Sequence, residues 1–217
     1  MIKWSYSGLK TFINCPKQYH EVKILKNYIQ PETEQIKYGK EVHSALEHYV
    51  RDSIPLPTNY QRFQSLLDVL LEIPGRKYVE HQMALTQDKQ PCGFDAPEYW
   101  VRGIADLLIV DGDTAFVLDY KTGSNKYADP KQLKLMALMV FQHFPQVQRV
   151  KGGLIFVVKN SFLPDTYTRD QVHKYWIDFD PDLMRLALAE KYNNWHPNPT
   201  PLCGWCPVKS CSFHKGE

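Results

Sequence analysis

The chain has 217 residues, of which 43% are hydrophobic and 23% charged, and its formal net charge is +2. This composition is that of an ordinary globular protein with one sizeable core, so we expect a single domain with at most an appended lobe. The near-neutral charge does not exclude a nucleic-acid partner, because a local basic groove is compatible with it.

No apolar run approaches the roughly 20 residues that span a bilayer, and the first four residues begin no secretory signal. We therefore expect no membrane partner and a location in the cytoplasm, or in the host cytoplasm if the chain is viral. Cysteines remain reduced in that compartment and are available to metals.

The N-terminal segment, residues 5–23, predicts an amphipathic helix that begins at a Ser5 cap and is interrupted at Cys15-Pro16. Basic and aromatic residues are mixed along it. This mixture suits contact with a nucleic-acid backbone and its bases, but a solvated amphipathic helix explains it equally well.

Two more helices and a strand are predicted next. Residues 38–50 have a 3.6-residue apolar period, with His43 at the border of the apolar face. A histidine there is more often a packing residue than a ligand, and it becomes a candidate only if acidic residues lie opposite. Residues 60–73 predict another amphipathic helix. Residues 77–85 predict a strand that carries Glu80, a weak candidate for a site.

The central stretch, residues 102–121, predicts a β-hairpin, because two apolar runs flank Asp111-Gly112-Asp113. Cys92, in the loop before it, has no other cysteine nearby and is expected to be structural.

Polar residues interrupt both strands of this hairpin. Asp106 lies in the first strand, and Asp119 and Lys121 end the second on a shared sheet face. A buried aspartate is costly to desolvate unless a partner binds it, and a cation is the usual partner. Gly103 would let backbone or a ligand approach closely. We predict a divalent-metal site beside Lys121, although an Asp-x-Lys triplet also occurs by chance.

A polar loop with Lys126 and Tyr127 follows, and Asp129-Pro130 predicts the start of a helix that runs to about residue 144. Gln132 lies in its first turn, so its amide could reach back to the hairpin, although solvation is the simpler explanation. The remaining predictions are strands at residues 151–158 and 172–179 and a helix over residues 180–195. This order predicts an α/β sheet covered by helices on both faces.

The tail contains Cys203, Cys206 and Cys211, with two and four residues between them. Three thiolates need a fourth ligand for a tetrahedral site, and His214 or Cys15 could supply it. A zinc ribbon normally has two local cysteine pairs, whereas proline directly after a cysteine also occurs in iron–sulfur ligation. The spacing predicts metal binding and leaves zinc and iron–sulfur open.

Taken together, these motifs resemble the RecB-like nucleases of the PD-(D/E)XK superfamily, over nearly the whole chain from Ser5 to Cys211. The resemblance is greatest to branches with a four-cysteine iron–sulfur cluster, including AddB-type and CRISPR-associated RecB-like exonucleases. The motifs in chain order are Cys15, residues 39–43 (GKEVH), residues 102–106 (RGIAD), residues 119–123 (DYKTG), Gln132-Leu133 and the three tail cysteines.

The resemblance implies an α/β fold with a restriction-endonuclease-like core, in which helices flank a mixed central sheet and a metal cluster joins the N- and C-terminal segments. In such a single nuclease domain, residues 24–75 form a helical lobe and residues 76–180 the catalytic sheet core. Residues 1–23 and 196–217 form a cysteine lobe.

The resemblance also implies roles for individual residues. His43, Asp106 and Asp119 become metal ligands, helped by the carbonyl of Tyr120, and Lys121 becomes the catalytic lysine. The other assignments are Gln132 as an active-site residue and Cys15, Cys203, Cys206 and Cys211 as ligands of a [4Fe–4S] cluster, which favours iron–sulfur over zinc. Two features depart from the family: Met136 stands where the family has a tyrosine, and the tail spacing is slightly tighter than is common.

Oxygen-rich ligands favour Mg²⁺ or Mn²⁺, which activates water and stabilises phosphoryl charge. Lys121 would orient the water or stabilise the developing charge. Together with this chemistry, the resemblance implies a metal-dependent DNA exonuclease, rather than an endonuclease, that acts on single-stranded ends. It would work in recombination, repair or phage or CRISPR DNA processing, alone or with a protein partner. Two alternatives stay open: a DNA-binding subunit that does not cut, and a zinc-stabilised interaction module.

Overall fold

The computed structural model describes residues 2–124 and 129–215, so Lys126 and Tyr127 lie outside the described residues. The chain divides into two compact units: Thr33–Tyr175, and Met1–Glu32 together with Trp176–Glu217. None of the helices in the described part is both long and apolar enough to cross a membrane. The helices are α1 Tyr6–Asn14, α2 Pro16–Tyr19, α3 Glu34–Asp52, α4 Gln64–Glu72, α5 Lys131–His143, α6 Val172–Ile177 and α7 Asp180–Lys191.

A six-stranded mixed sheet forms the centre of the Thr33–Tyr175 unit, in the order β2-β1-β3-β4-β5-β6. Neighbouring strands are antiparallel except β4 and β5, which are parallel and are connected through α5. The strands are β1 Arg76–Leu85, β2 Pro91–Cys92, β3 Val101–Asp111, β4 Thr114–Lys121, β5 Arg149–Phe156 and β6 Ser161–Thr168.

Helices cover both faces of this sheet. On one face α3 and α4 contribute Val42, Leu46 and Leu67 to a buried cluster that includes Leu107 and Leu118 of the sheet. Helix α5 lies against the strands separately from this cluster, and its residues from Leu135 to Phe141 are all buried. The predicted α/β fold, a mixed sheet flanked by helices, is confirmed.

The predicted hairpin is also confirmed. β3 and β4 pair from Leu107 with Leu118 to Asp111 with Thr114, which leaves a two-residue turn. Gly112 in that turn has a φ of +57°, in the left-handed region that glycine adopts without steric cost. Pairing stops at Leu107, so the two strands part at the positions that carry the polar residues.

One strand prediction is wrong, and two strands were missed: the two-residue strand β2, Pro91–Cys92, in a segment predicted to be a loop, and β6. Residues 172–179 were predicted to be a strand, but Val172–Ile177 is helix α6; their β-branched and aromatic content is ambiguous over so short a run. β6, Ser161–Thr168, contains Pro164, which argues against a central strand but is tolerated at the sheet edge.

Helix boundaries differ from the predictions by a few residues. α3 extends beyond the predicted residues 38–50 at both ends, and the segment predicted at 60–73 begins as a 3₁₀ helix, Thr58–Phe63, before α4. The last helix, α7, ends at Lys191 rather than at residue 195.

The second unit contains α1, α2 and α7. The Ser5 side chain accepts a hydrogen bond from the Gly8 N–H at 3.3 Å, as expected of an N-cap. Cys15 is extended and Pro16 begins α2, so the helix is interrupted at Cys15-Pro16, as predicted. A π-helical turn, His20–Ile24, follows α2, and a 3₁₀ helix, Pro201–Trp205, lies in the tail.

Candidate active site

Three carboxylates lie in one row across neighbouring strands of the sheet. The β1–β3 register places Glu80 opposite Asp106, and the β3–β4 register, continued by one pair, places Asp106 opposite Asp119. Because β3 and β4 no longer pair at this level, the Asp106 carboxylate reaches across and accepts a hydrogen bond from the Tyr120 N–H at 2.7 Å. The acidic groups thus converge where the strands part.

His43 completes a group with two of these carboxylates. One ligand atom from each of His43, Glu80 and Asp106 lies within 4.8 Å of the other two, and all three residues are half-buried. The Nδ1 atom of His43 lies 3.4 Å from Oδ2 of Asp106. An imidazole nitrogen and two carboxylates on a partly solvated surface are a suitable donor set for a divalent cation.

Glu80 has an unusual backbone conformation for a strand residue. Its φ is +50°, in the left-handed region, which costs a residue with a side chain about 1–3 kcal/mol. Such conformations cluster at functional sites because the surrounding structure must maintain them. The strain therefore supports a role for Glu80 beyond folding.

A second group, on β4 and α5, is more deeply buried. The Asp119 side chain is 7% exposed; its Oδ1 accepts a hydrogen bond from Gln132 Nε2. Lys121 Nζ donates to Gln132 Oε1 at 2.9 Å and lies 2.6 Å from Asp119 Oδ2. This last contact is an ion pair, so the Lys121 ammonium partly compensates the buried charge of Asp119. Asp119 is thus a buried carboxylate held by Lys121 and Gln132 next to the first group.

Burial and a neighbouring negative charge raise the pKa values of two of these acidic residues, Asp119 and Glu80. Burial, and then the negative charge of Asp106, raises the pKa of Asp119 to about 6, although Lys121 acts in the opposite direction. Burial, and then the charges of Asp106 and Glu47, raises the pKa of Glu80 to about 7. The negative charge of Asp106 destabilises the ionised forms of Glu80 and Asp119, and a bound cation would relieve that repulsion.

The same negative charges also raise the pKa of His43. Burial alone would lower its pKa, but the hydrogen bond and negative charge of Asp106 outweigh burial and raise the pKa above the ordinary value. The imidazole must be neutral to bind a metal, so proton release would accompany ion binding.

A surface cavity of about 580 Å³ opens over the first group. Glu47 and Thr122 line it and were not singled out from the sequence. Glu47 lies four residues after His43 in α3, and this spacing, which puts both on one helix face, could have identified it. The other lining residues are Gln35, Ile36, Gly39, Lys40, His43, Ser44, Glu80 and Asp106.

The structure brings the predicted hairpin and helix residues together: Asp119, Lys121 and Gln132 contact one another, and Asp106 contacts His43. The role of the Tyr120 carbonyl as a ligand stays a prediction.

Met136, at the position of the family's tyrosine, is buried one helical turn beyond Gln132. A Cβ at Gly103 would overlap the end of the Met136 side chain. Gly103 therefore accommodates a side chain of α5.

The second unit contains a cysteine cluster, formed by Cys15, Cys203, Cys206 and Cys211, which line one small cavity together with His214. Burial, and then the three neighbouring thiols, raises the pKa of Cys206, although an N–H from Val208 lowers it. Cys15 Sγ accepts an N–H from Asn198 at 3.4 Å, and Cys203 Sγ accepts one from Thr200 at 3.3 Å. Backbone donors aimed at sulfur suit thiolates that bind a metal. The remaining cysteine, Cys92, lies in β2.

Comparison with known proteins agrees with this geometry. The chain is similar to the crystal structure of a "Putative exonuclease" from Eubacterium rectale, with a TM-score of 0.57 and 14% identity over 99% of this chain and 90% of that chain. At this identity the likeness shows the fold alone. A structure of SSO0001 aligns with a TM-score of 0.43 and 11% identity over 99% of this chain and 88% of that chain, which is too distant to carry an argument. No curated protein sequence matches. The family model described as the PD-(D/E)XK nuclease superfamily matches residues 3–211, and the chain therefore belongs to that superfamily.

Proposed function

We propose that the protein is a divalent-metal-dependent deoxyribonuclease that degrades DNA from single-stranded ends. One observation carries the proposal: a row of three carboxylates meets His43 on one side and the Asp119–Lys121–Gln132 group on the other. Membership of a nuclease superfamily supports phosphodiester hydrolysis as the reaction.

The donor set supports Mg²⁺ or Mn²⁺ as the cofactor. Oxygen atoms of Glu80, Asp106 and Asp119 with one nitrogen of His43 are hard ligands that such ions accept. A bound ion would lower the pKa of water and offset negative charge on the phosphoryl oxygens.

The chain's own residues supply the rest of the chemistry. Lys121 places its side-chain nitrogen beside the carboxylate row, where it stabilises the negative charge that develops on the phosphoryl group. Gln132 fixes both Lys121 and Asp119 by hydrogen bonds from one amide, so it positions them relative to each other. A partly desolvated site makes these charges more effective than they would be in water.

The preference for exonuclease over endonuclease activity and for single-stranded ends rests on the resemblance to RecB-like nucleases. The same resemblance supports a role in recombination, repair or phage or CRISPR DNA processing, with a protein partner from such a complex. It also supports a single nuclease domain with a helical lobe, a sheet core and a cysteine lobe, and we propose a cytoplasmic location for it.

We also propose that Cys15, Cys203, Cys206 and Cys211 bind a [4Fe–4S] cluster, as in the AddB-type branch, with Zn²⁺ as the alternative. Their shared cavity and the backbone N–H groups that point at two of the sulfurs support a metal here. Anaerobically purified protein should be brown with an absorbance band near 400 nm. A colourless protein with stoichiometric zinc would refute the cluster.

The nuclease proposal is tested by digesting 5′- and 3′-labelled single- and double-stranded DNA with Mg²⁺ or Mn²⁺. We expect the wild type to shorten single strands from an end, and Asp119→Ala and Lys121→Ala to lose cleavage while still folding and binding DNA. Asp113→Ala, in the turn of the same hairpin, is the matched control and should cleave normally. If the wild type binds DNA but cuts none of these substrates, a non-cutting DNA-binding subunit is the better assignment.

A further inference from the structure

The cysteine segment exposes large apolar side chains to solvent. Trp205 is 78% exposed, Leu202 is 70% exposed and Phe213 is 45% exposed. An exposed indole contributes little to folding, because the stabilisation from an apolar side chain comes from removing it from water. The folding of this unit therefore does not explain a tryptophan at position 205.

The backbone around Trp205 is well held, so its exposure does not come from an unstructured tail. Thr200 caps the 3₁₀ helix Pro201–Trp205, and its side chain accepts the Leu202 N–H at 3.2 Å. The Cys206 N–H bonds to the Cys203 carbonyl, and Val208 is buried. The indole is thus presented on a fixed turn between two clustered cysteines.

The surrounding sequence has one sign of charge. Residues 192–215 contain no aspartate or glutamate, and they include Lys209, Lys215 and two histidines. Lys215 lies near the 3₁₀ helix, since a Cβ on Gly204 would lie 3.8 Å from its carbonyl oxygen. An anionic ligand could therefore approach Trp205 without meeting an acidic residue of this segment.

We propose that Trp205 is a stacking platform for a base of single-stranded nucleic acid, with Lys209 and Lys215 close to the phosphates of the same strand. Flat aromatic faces interspersed with lysines are how proteins bind single strands without reading sequence. The proposal rests on the proposed function in taking DNA as the ligand. It adds a binding position to the unit that contains the cysteine cluster.

The test is equilibrium binding of a fluorescent oligothymidylate, about 20 nucleotides long, measured by anisotropy in EDTA so that nothing is cleaved. Trp205→Leu keeps apolar bulk but removes the aromatic face, and we expect it to weaken binding about tenfold or more. Trp205→Phe keeps an aromatic face and should restore most of the affinity. Leu202→Ala, an exposed residue of the same 3₁₀ helix, is the matched control and should stay within about twofold of the wild type.

A lysine variant tests the electrostatic contribution to binding of the single strand. Lys209→Gln should weaken binding and reduce the slope of log affinity against log salt by about one. The metal content of every variant is measured alongside, because Trp205 lies between two cysteines. If Trp205→Leu loses the metal, Trp205→Met, which also lacks an aromatic ring, replaces it and should weaken binding by a similar factor.

The proposal is overturned if metal-replete Trp205→Leu binds the oligonucleotide as tightly as the wild type. Equal losses in Trp205→Leu and Trp205→Phe would also overturn it, since stacking would then not be the cause. Failure of the proposed function looks different: the wild type would bind the strand, with Trp205 contributing, and cut nothing.

Discussion

Replacing Glu80 by glycine should make the metal-free protein more stable while abolishing its response to metal. Glu80 has a left-handed backbone and a carboxylate whose pKa is raised to about 7 by burial and by neighbouring acids. Glycine removes both the steric cost and the negative charge. A mutation at an ordinary strand position would instead be expected to destabilise the protein.

Three contributions determine the expected change in the free energy of unfolding. The left-handed conformation costs a residue with a side chain about 1–2 kcal/mol, and glycine in a strand loses about 0.5–1 kcal/mol through its greater freedom when unfolded. Relief of charge repulsion with Asp106 adds to the balance, so we expect a net gain of about 1 kcal/mol. For a chain of this size that raises the unfolding temperature by about 2–4 °C.

Thermal unfolding in EDTA and in Mn²⁺ measures both effects. A ligand at a hundred times its dissociation constant stabilises the folded state by about 2.7 kcal/mol, so Mn²⁺ should raise the unfolding temperature of the wild type above that of Glu80→Gly. The order of the two proteins should therefore reverse between the two conditions.

Two controls separate the causes. Glu80→Gln removes the charge but keeps the backbone cost, so its gain in EDTA should be smaller. Lys89→Gly relieves another positive φ, away from the carboxylates, and should leave the Mn²⁺ response unchanged. A lower unfolding temperature for Glu80→Gly than for the wild type in EDTA would refute the reasoning.

Gln132→Leu should lower kcat by about ten- to a hundredfold with little change in KM, because hydrogen bonds to charged groups contribute about 1.5–3 kcal/mol. Steady-state kinetics on single-stranded DNA measures this effect, and an unchanged kcat would contradict it. Because the pKa values of Glu80 and Asp119 are raised, the folded state holds more protons than the unfolded state. The metal-free protein should therefore lose stability as the pH rises from about 5 to 8, as measured by denaturant unfolding at each pH. Cys15→Ser should abolish the absorbance near 400 nm, whereas Cys92→Ser should retain it; equal spectra would contradict the assignment of the cluster ligands.

The central hairpin was predictable because its signals are local. Asp111-Gly112-Asp113 between apolar runs predicts the turn, and the residues that interrupt the strands stand out against the apolar pattern. The contact between Gln132 and the hairpin was also foreseeable, since a helix that begins soon after a strand ends brings its first turn back to that strand end.

The C-terminal part of the sheet was not predictable from pattern alone. Val172–Ile177 is a helix of six residues, too short for its period to distinguish it from a strand. Ser161–Thr168 contains Pro164, and only its position at the edge of the sheet makes that residue acceptable. Whether each of these two segments is a helix or a strand depends on its tertiary position, which its local sequence pattern does not reveal.

The role of Glu80 in the candidate site depends on backbone geometry and on strand register. Neither its positive φ nor its place opposite Asp106 can be derived from a single glutamate in a strand. The location of Met136 is similar: its packing over Gly103 follows from how α5 crosses β3.

The most direct test of the account is the rate of single-stranded DNA cleavage as a function of Mn²⁺ concentration, for the wild type and for Asp106→Asn. Asp106 lies beside His43 and faces Asp119 where the two strands separate. Its charge raises the pKa values of both Glu80 and Asp119. We predict metal-dependent cleavage that Asp106→Asn loses at every Mn²⁺ concentration, while the variant remains folded and binds DNA. Cleavage by the wild type in EDTA, or undiminished cleavage by Asp106→Asn, would contradict the account.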